Sequence, residues 1–278
     1  MFQADLLAGK KVLVTGGGSG LGKSMGRRFL ELGAELVICG RREAVLEETA
    51  ADFETAFPGR ASWHACDIRD AEAVEALVGE SWPLDVLVNN AAGNFLAKSE
   101  TLSPRAVDAV VRIVLNGTAN ATLACGRRWL AESRPGEPRG TVLSIVTSYA
   151  WTGSPYVLPS AMAKAGVLAM TRSLAVEWGG RGVRLNAIAP GPFPTEGAWQ
   201  RLVPDEALAA AWRKKIPLAR FGEHAELADL AAYLIADGSA YVNGEVVTID
   251  GGEWLKGAAQ FALMEHLSED DWAAMRGR

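Results

Sequence analysis

The chain has 278 residues, 49% of them hydrophobic and 22% charged, with a formal net charge of −5. That length fits one large α/β domain or two small ones with ample core, and the acidic balance with scattered Lys and Arg argues against nucleic acid or an anionic membrane as the main partner. Three widely spaced cysteines (Cys39, Cys66, Cys125) build no disulfide framework or CxxC pair and the three histidines form no HExxH, so a reducing compartment and no metal site are expected.

The segment Met1–Leu7 carries an acid and too short an apolar run for a signal sequence. No apolar run reaches membrane-spanning length, so a soluble cytoplasmic protein is expected. Lys11–Thr15 reads as a buried strand, followed by a helix from about Leu21 to Leu32. Glu35–Cys39 is a second strand and Arg42 to Phe57 a second helix. Ala61–Ala65, Asp85–Asn89, Thr141–Ile145, Val183–Ile188 and Val246–Ile249 continue the strands, with helical patterns between them. Such alternation predicts an α/β fold: a Rossmann-like doubly wound parallel sheet of about seven strands with helices on both faces. No linker or repeat breaks the chain. One domain is expected, with a cofactor-binding half to about residue 150, a catalytic and substrate half to about 253, and a tail over 254–278. Small excursions are expected around Pro192–Pro217. In the tail, Trp254, Phe261, Leu263, Met264, Leu267 and Trp272 recur at roughly helical spacing, which suggests a subunit contact or a lid.

The first strand runs into Thr15-Gly-Gly-Gly-Ser-Gly-Leu-Gly22. Gly16, Gly18, Ser19, Gly20, Leu21 and Gly22 would form a tight strand-to-helix turn in which bare backbone approaches a pyrophosphate at a helix N-terminus. A dinucleotide enzyme using NAD places an acid at the end of the second strand. Here Gly40-Arg41-Arg42 stands instead, and two guanidinium groups suit the extra 2′-phosphate of NADPH. The alternative is a solvated basic pair, but such a pair is unfavourable at a helix start without an anion. Asp67 and Ile68 follow the third strand and would meet the adenine, and Asn90 follows the fourth and would support the cofactor from beneath. Pro190, Gly191, Pro192, Phe193 and Thr195 follow the sixth and would close over the nicotinamide with backbone groups.

With these motifs in place the chain resembles the short-chain dehydrogenase/reductase superfamily over nearly its whole length. Thr147 stands at the usual serine place, Asn116 at the usual helix asparagine and Lys164 at the lysine of the YxxxK pair. The departure is Ser160, which stands where that pair has tyrosine. A phenol, with a pKa of about 10, can be tuned by a neighbouring cation; an aliphatic hydroxyl cannot simply replace it. Tyr149, just past the fifth strand, is the candidate for a displaced tyrosine, with Tyr156 less favoured.

That rearrangement resembles one branch, the NADPH-dependent 2,4-dienoyl-CoA reductases of the mitochondrial type. The shared segments are Asn-Ala-Ala-Gly-Asn-Phe at 90–95, Leu-Asn-Gly-Thr at 115–118, Pro-Ser-Ala-Met-Ala-Lys-Ala-Gly at 159–166, Thr-Glu-Gly-Ala at 195–198 and Asp-Gly-Gly at 250–252. Met162 and Pro194 depart from the mammalian pattern. The resemblance implies a homotetramer in fatty-acid β-oxidation that takes acyl-CoA, with Tyr149 and Asn94 on the thioester carbonyl and Lys164 on the cofactor ribose. It places Arg69, Phe95, Ser103 and Arg201 in the acyl-CoA site. Hydride delivered to the far end of the diene drives charge onto the thioester oxygen, so the proton donor need not stand beside the nicotinamide. Ser160 with Lys164 would hold the water that protonates the product. Other readings are another reductase of acyl or carbonyl compounds, and a binding-only protein.

Overall fold

The computed structural model describes residues 2–134, 136–195 and 205–276. Seven parallel strands form one sheet in the order β3-β2-β1-β4-β5-β6-β7. They are β1 Lys11–Thr15, β2 Glu35–Gly40, β3 Ala61–Ala65, β4 Val86–Asn89, β5 Gly140–Ile145, β6 Val183–Pro190 and β7 Val246–Ile249. Every expected strand is present, shifted at its ends by at most two residues. The edge strands β3 and β7 are only part-buried, whereas β4 and β5 are buried throughout. An edge strand has one neighbour and less cover, so the fully apolar reading fits only the interior.

Successive strand residues point to opposite faces, and this sorts the core into two layers. Val12, Val14, Leu36, Ile38, Val88 and Ile145 face one cluster, which packs on α1 (Gly20–Glu31), α2 (Glu43–Ala56) and a helix near the end of the chain. Leu13, Val37, Leu87 and Val142 face the other, with α3 (Ala71–Ser81) and two long helices beyond it. The helices between β4 and β6 are α4 (Pro104–Val111), α5 (Gly117–Ala131), α6 (Tyr149–Thr152) and α7 (Leu158–Gly179), of which α5 and α7 are the two long ones. After β6 come α8 (Glu206–Arg213) and α9 (His224–Ile235), and after β7 come α10 (Glu253–Ala258) and α11 (Glu269–Arg276). Helix α9 covers the first layer; α5 and α7 cover the second.

The strand order reverses direction between β1 and β4. Loops leaving their carboxyl ends diverge to opposite faces there and open a crevice, the usual ligand position in such sheets. The tail, whose apolar residues recur at roughly helical spacing, is not one helix. It divides into α10, a short 3₁₀ turn at Ala262–His266 and α11, and Phe261 and Leu263 are exposed. Among the described residues, no helix is long and apolar enough to cross a membrane.

Candidate active site

A cavity of about 1060 Å³ occupies the crevice. At one end lies the glycine turn. Gly16 has φ +66°, and a Cβ there would meet the Ala91 backbone at 2.9 Å. A Cβ on Gly22 would lie 2.3 Å from the Gly16 carbonyl, so only hydrogen fits between turn and helix. Gly22 therefore shapes the turn from behind, while Gly16, Gly18, Ser19, Gly20 and Leu21 line the cavity. Asn90 donates from Nδ2 to the carbonyls of Thr15 and Gly16, both at 3.1 Å, and ties the turn to β4. The first turn of α1 has no side-chain cap and no acid. Its free N–H groups beside bare backbone fit a phosphate anion.

Arg41 and Arg42 line the cavity at the end of β2. Arg42 donates from Nη2 to Ser19 Oγ at 3.0 Å, which draws its guanidinium beside the glycine turn. Asp67 and Ile68 line the wall below; Ile68 is fixed by Asn120, whose Nδ2 donates to its carbonyl at 2.9 Å. Asp67 is bound by Arg69 through Nε at 2.9 Å and through Nη2, and this pairing holds its carboxyl below the ordinary value. A dinucleotide thus fits the groups at this end: open backbone donors, a helix N-terminus and two cations. Cys39 and Cys66 also line it, unforeseen from their spacing; burial pushes both thiols up, Cys66 to about 11, so neither is a thiolate.

At the other end, Tyr149 opens the short helix α6 just past β5, and its hydroxyl lies 3.0 Å from Ser160 Oγ. Lys164 follows Ser160 by one turn of α7, on the same face, and donates to the Ile145 carbonyl. Tyr149, Lys164 and Thr147 line the cavity; Ser160 is buried behind Tyr149 and does not. Asn94 lines it as well, with Oδ1 accepting from the Phe95 N–H at 2.9 Å and Nδ2 donating to none of the described residues. Asn116 closes a π-helical turn, Arg112–Asn116, whose Ile113 reaches the cavity. Such insertions recur at functional sites.

Burial lowers the Lys164 ammonium to about 8. The unfolded chain keeps that proton up to 10.5, so Lys164 disfavours the folded state below about 8, and this penalty is relieved as pH rises from there toward 10.5. Ligand binding runs the opposite way, because the cation is what an anionic cofactor attracts. The dissociation constant for NADPH is expected to rise as pH passes about 8, and titration of Lys164→Met should show that rise removed.

Of the four expected substrate residues, three are described and none of these three lines the cavity. Arg69 is committed to Asp67 and does not line the cavity, and neither does Phe95, whose side chain is exposed. Ser103 is the N-cap of α4, its Oγ accepting from the Ala106 N–H at 3.2 Å. Ser103→Ala is expected to cost about 1 kcal/mol of stability, seen as a lower Tm with acyl-CoA KM unaltered. A raised KM at unchanged Tm would return Ser103 to the substrate site. Arg201 lies outside the described residues.

Other wall residues carry no local signal in the sequence. Trp212 on α8 donates from Nε1 to Glu253 Oε1 at 2.5 Å, and Trp254 meets Trp151 edge-on at 5.8 Å. Trp212, Glu253, Trp254, Gly257 and Ala258 line the cavity as well, and burial raises the Glu253 carboxyl above its ordinary value. The start of the tail is therefore a wall of the cavity.

Residues 16–253 match a family described as Enoyl-(Acyl carrier protein) reductase. A crystal structure of a short chain dehydrogenase from Bacillus anthracis superposes with a TM-score of 0.79 at 41% identity, covering 88% of this chain and 96% of the other. The chain belongs to the short-chain dehydrogenase/reductase superfamily. It is 42% identical over 251 residues to a Bacillus subtilis protein named probable 2,4-dienoyl-CoA reductase [(2E)-enoyl-CoA-producing], covering 88% and 97% of the two chains. It is 38% identical to a Caenorhabditis elegans protein named probable 2,4-dienoyl-CoA reductase 3 [(3E)-enoyl-CoA-producing], covering 98% and 91%. Within this superfamily of oxidoreductases, which use a nicotinamide cofactor, the chain is thus similar to proteins named as probable dienoyl-CoA reductases.

Proposed function

We propose that the protein reduces 2,4-dienoyl-CoA to 3-enoyl-CoA with NADPH, as a step of unsaturated fatty-acid β-oxidation. The observation that carries this reading is the Tyr149 hydroxyl in the cavity, backed by Ser160 at the place where a carbonyl reductase has its tyrosine. NADPH, when bound, supplies a hydride to the diene terminus at C5, and the electron pair moves onto the thioester oxygen. Tyr149 O–H and Asn94 Nδ2 donate to that oxygen as charge develops, an oxyanion hole preformed before reaction. With the phenol O–H given to the thioester oxygen, the Ser160 O–H is free to donate to the Tyr149 oxygen 3.0 Å away and polarise it. Ser160 thus orients the tyrosine, and a water held beside Ser160 and Lys164 supplies the proton. Lys164 holds the ribose and its positive charge favours the developing anion.

The proton completes the reaction at C2 to give the 3-enoyl thioester, or at C4 to give the 2-enoyl isomer. Both outcomes share the same dienolate. The names of the two relatives cover both products, and product analysis separates them. The test is cofactor oxidation followed by absorbance with a 2,4-dienoyl-CoA, a 3-ketoacyl-CoA and a 2-enoyl-CoA in turn. Turnover of the dienoyl thioester well above the other two is expected; preference for the ketoacyl substrate would overturn the proposal. A homotetramer in the cytoplasm completes this reading, and sedimentation tests the assembly.

A further inference from the structure

We propose that His224 is a positioning residue for cofactor binding, tethering the cavity-closing segment Pro190–Thr195 to the dinucleotide helix α1. His224 begins α9 and touches neither the cavity nor any group assigned above. Its Nε2 lies 2.7 Å from the Pro194 carbonyl and its Nδ1 lies 2.8 Å from Ser24 Oγ. A carbonyl can only accept, so Nε2 carries the proton and donates to Pro194, while Nδ1 pairs with the Ser24 hydroxyl. Ser24 stands one turn into α1, within 3.1 Å of the carbonyl of Gly20.

The tether works with a second clasp. Gly222 donates its N–H to the Pro192 carbonyl at 3.1 Å, and a Cβ on Gly222 would lie 2.3 Å from the Phe193 ring. Residues 222–224 therefore take both proline carbonyls and seat Phe193 between them. Pro192 and Pro194 have no N–H, and those of Phe193 and Thr195 donate to none of the described residues. Gly191 donates to the Ile249 carbonyl at 2.9 Å, so the N–H groups of Phe193 and Thr195 are the ones that can turn to a ligand, on backbone held beside the glycine turn. Thr195 Cγ2 stands 3.4 Å from where a Gly20 Cβ would be. Ordering these residues before binding spares the cofactor that entropic cost.

The test compares dissociation constants for NADPH and NADH by nicotinamide fluorescence in wild type, His224→Ala, His224→Gln and Asp229→Ala. Asp229 accepts from Arg28 Nε at 2.6 Å, joining the same two helices without touching the segment. His224→Ala should weaken both cofactors alike by roughly 3- to 10-fold, the worth of an ordinary hydrogen bond, with acyl-CoA KM unchanged. His224→Gln keeps a donor for Pro194 and should recover most of the loss. Asp229→Ala should lower Tm and leave cofactor binding intact. If His224→Ala behaves as Asp229→Ala does, the histidine merely packs two helices together and the proposal is overturned. Should His224→Ala fail to fold, Ser24→Ala removes the α1 end of the tether alone and is read the same way. Equal wild-type affinity for the two cofactors would refute the NADPH preference and leave this comparison standing.

Discussion

Tyr149→Phe is expected to lower kcat for a 2,4-dienoyl-CoA by roughly 10²–10³ while the dissociation constant for NADPH stays put. The substitution removes one oxygen. That oxygen is the only hydrogen-bond partner found for Ser160 Oγ among the described residues, and it is the stronger of two proposed donors to the thioester. Asn94 remains and supplies part of the stabilisation, which is why activity falls rather than vanishes. Ser160→Ala should cost less, because the phenol stays and loses only its buried support. Steady-state kinetics with cofactor binding measured separately gives the split. Near-wild-type turnover of Tyr149→Phe would end the assignment, and a loss confined to cofactor affinity would move Tyr149 to the other half of the site.

Replacing Arg42 by alanine should weaken NADPH by roughly 10- to 150-fold and leave NADH unaffected, since a hydrogen bond to a charged group contributes about 1.5–3 kcal/mol. Arg42 already leans on Ser19 at the mouth of the glycine turn, so little ordering is needed to meet a 2′-phosphate. Arg41 should matter less. Asp67 lies close enough for Arg41 to help hold its carboxyl down, and the pair partly offsets the charge offered to the ligand. Competition titrations of the two cofactors at several salt concentrations would show this. The Arg42 effect should shrink with added salt, as exposed charges are screened. Equal loss of both cofactors would point to a general role in shaping the turn.

Much of the site was legible because its signals are local. Gly16, Gly20 and Gly22 are spaced by the geometry of a turn too tight for side chains, and a reader needs only that turn to recognise them. Lys164 and Ser160 were legible as a helical i, i+4 pair. Tyr149 was found by what was missing four residues before Lys164, a chemical argument from the sequence. The acyl wall was not legible: Trp212 and Glu253 lie far apart along the chain and meet only once β6 and β7 pair. Nor was the commitment of Ser103 to a helix cap or of Arg69 to Asp67, since a hydroxyl or a guanidinium reads alike whether it serves the fold or a ligand.

The opening charge argument also gains a location. A net charge of −5 excludes a broadly basic surface, yet the proposed ligands are polyanions, and the cations that line the cavity are gathered at the carboxyl end of β2, as Arg41 and Arg42, and at Lys164. By itself the amino-acid sequence determined the parallel sheet and the glycine turn and singled out the tyrosine proposed as displaced, because strand periodicity, glycine spacing and one missing phenol are written in neighbouring residues. The tertiary structure alone decided which side chains face the cavity, what Ser160 and His224 hold, and that Lys164 lies buried with its ammonium pushed down to about 8. Burial and distant partners are properties of packing, and packing is settled only when segments far apart in the chain come together.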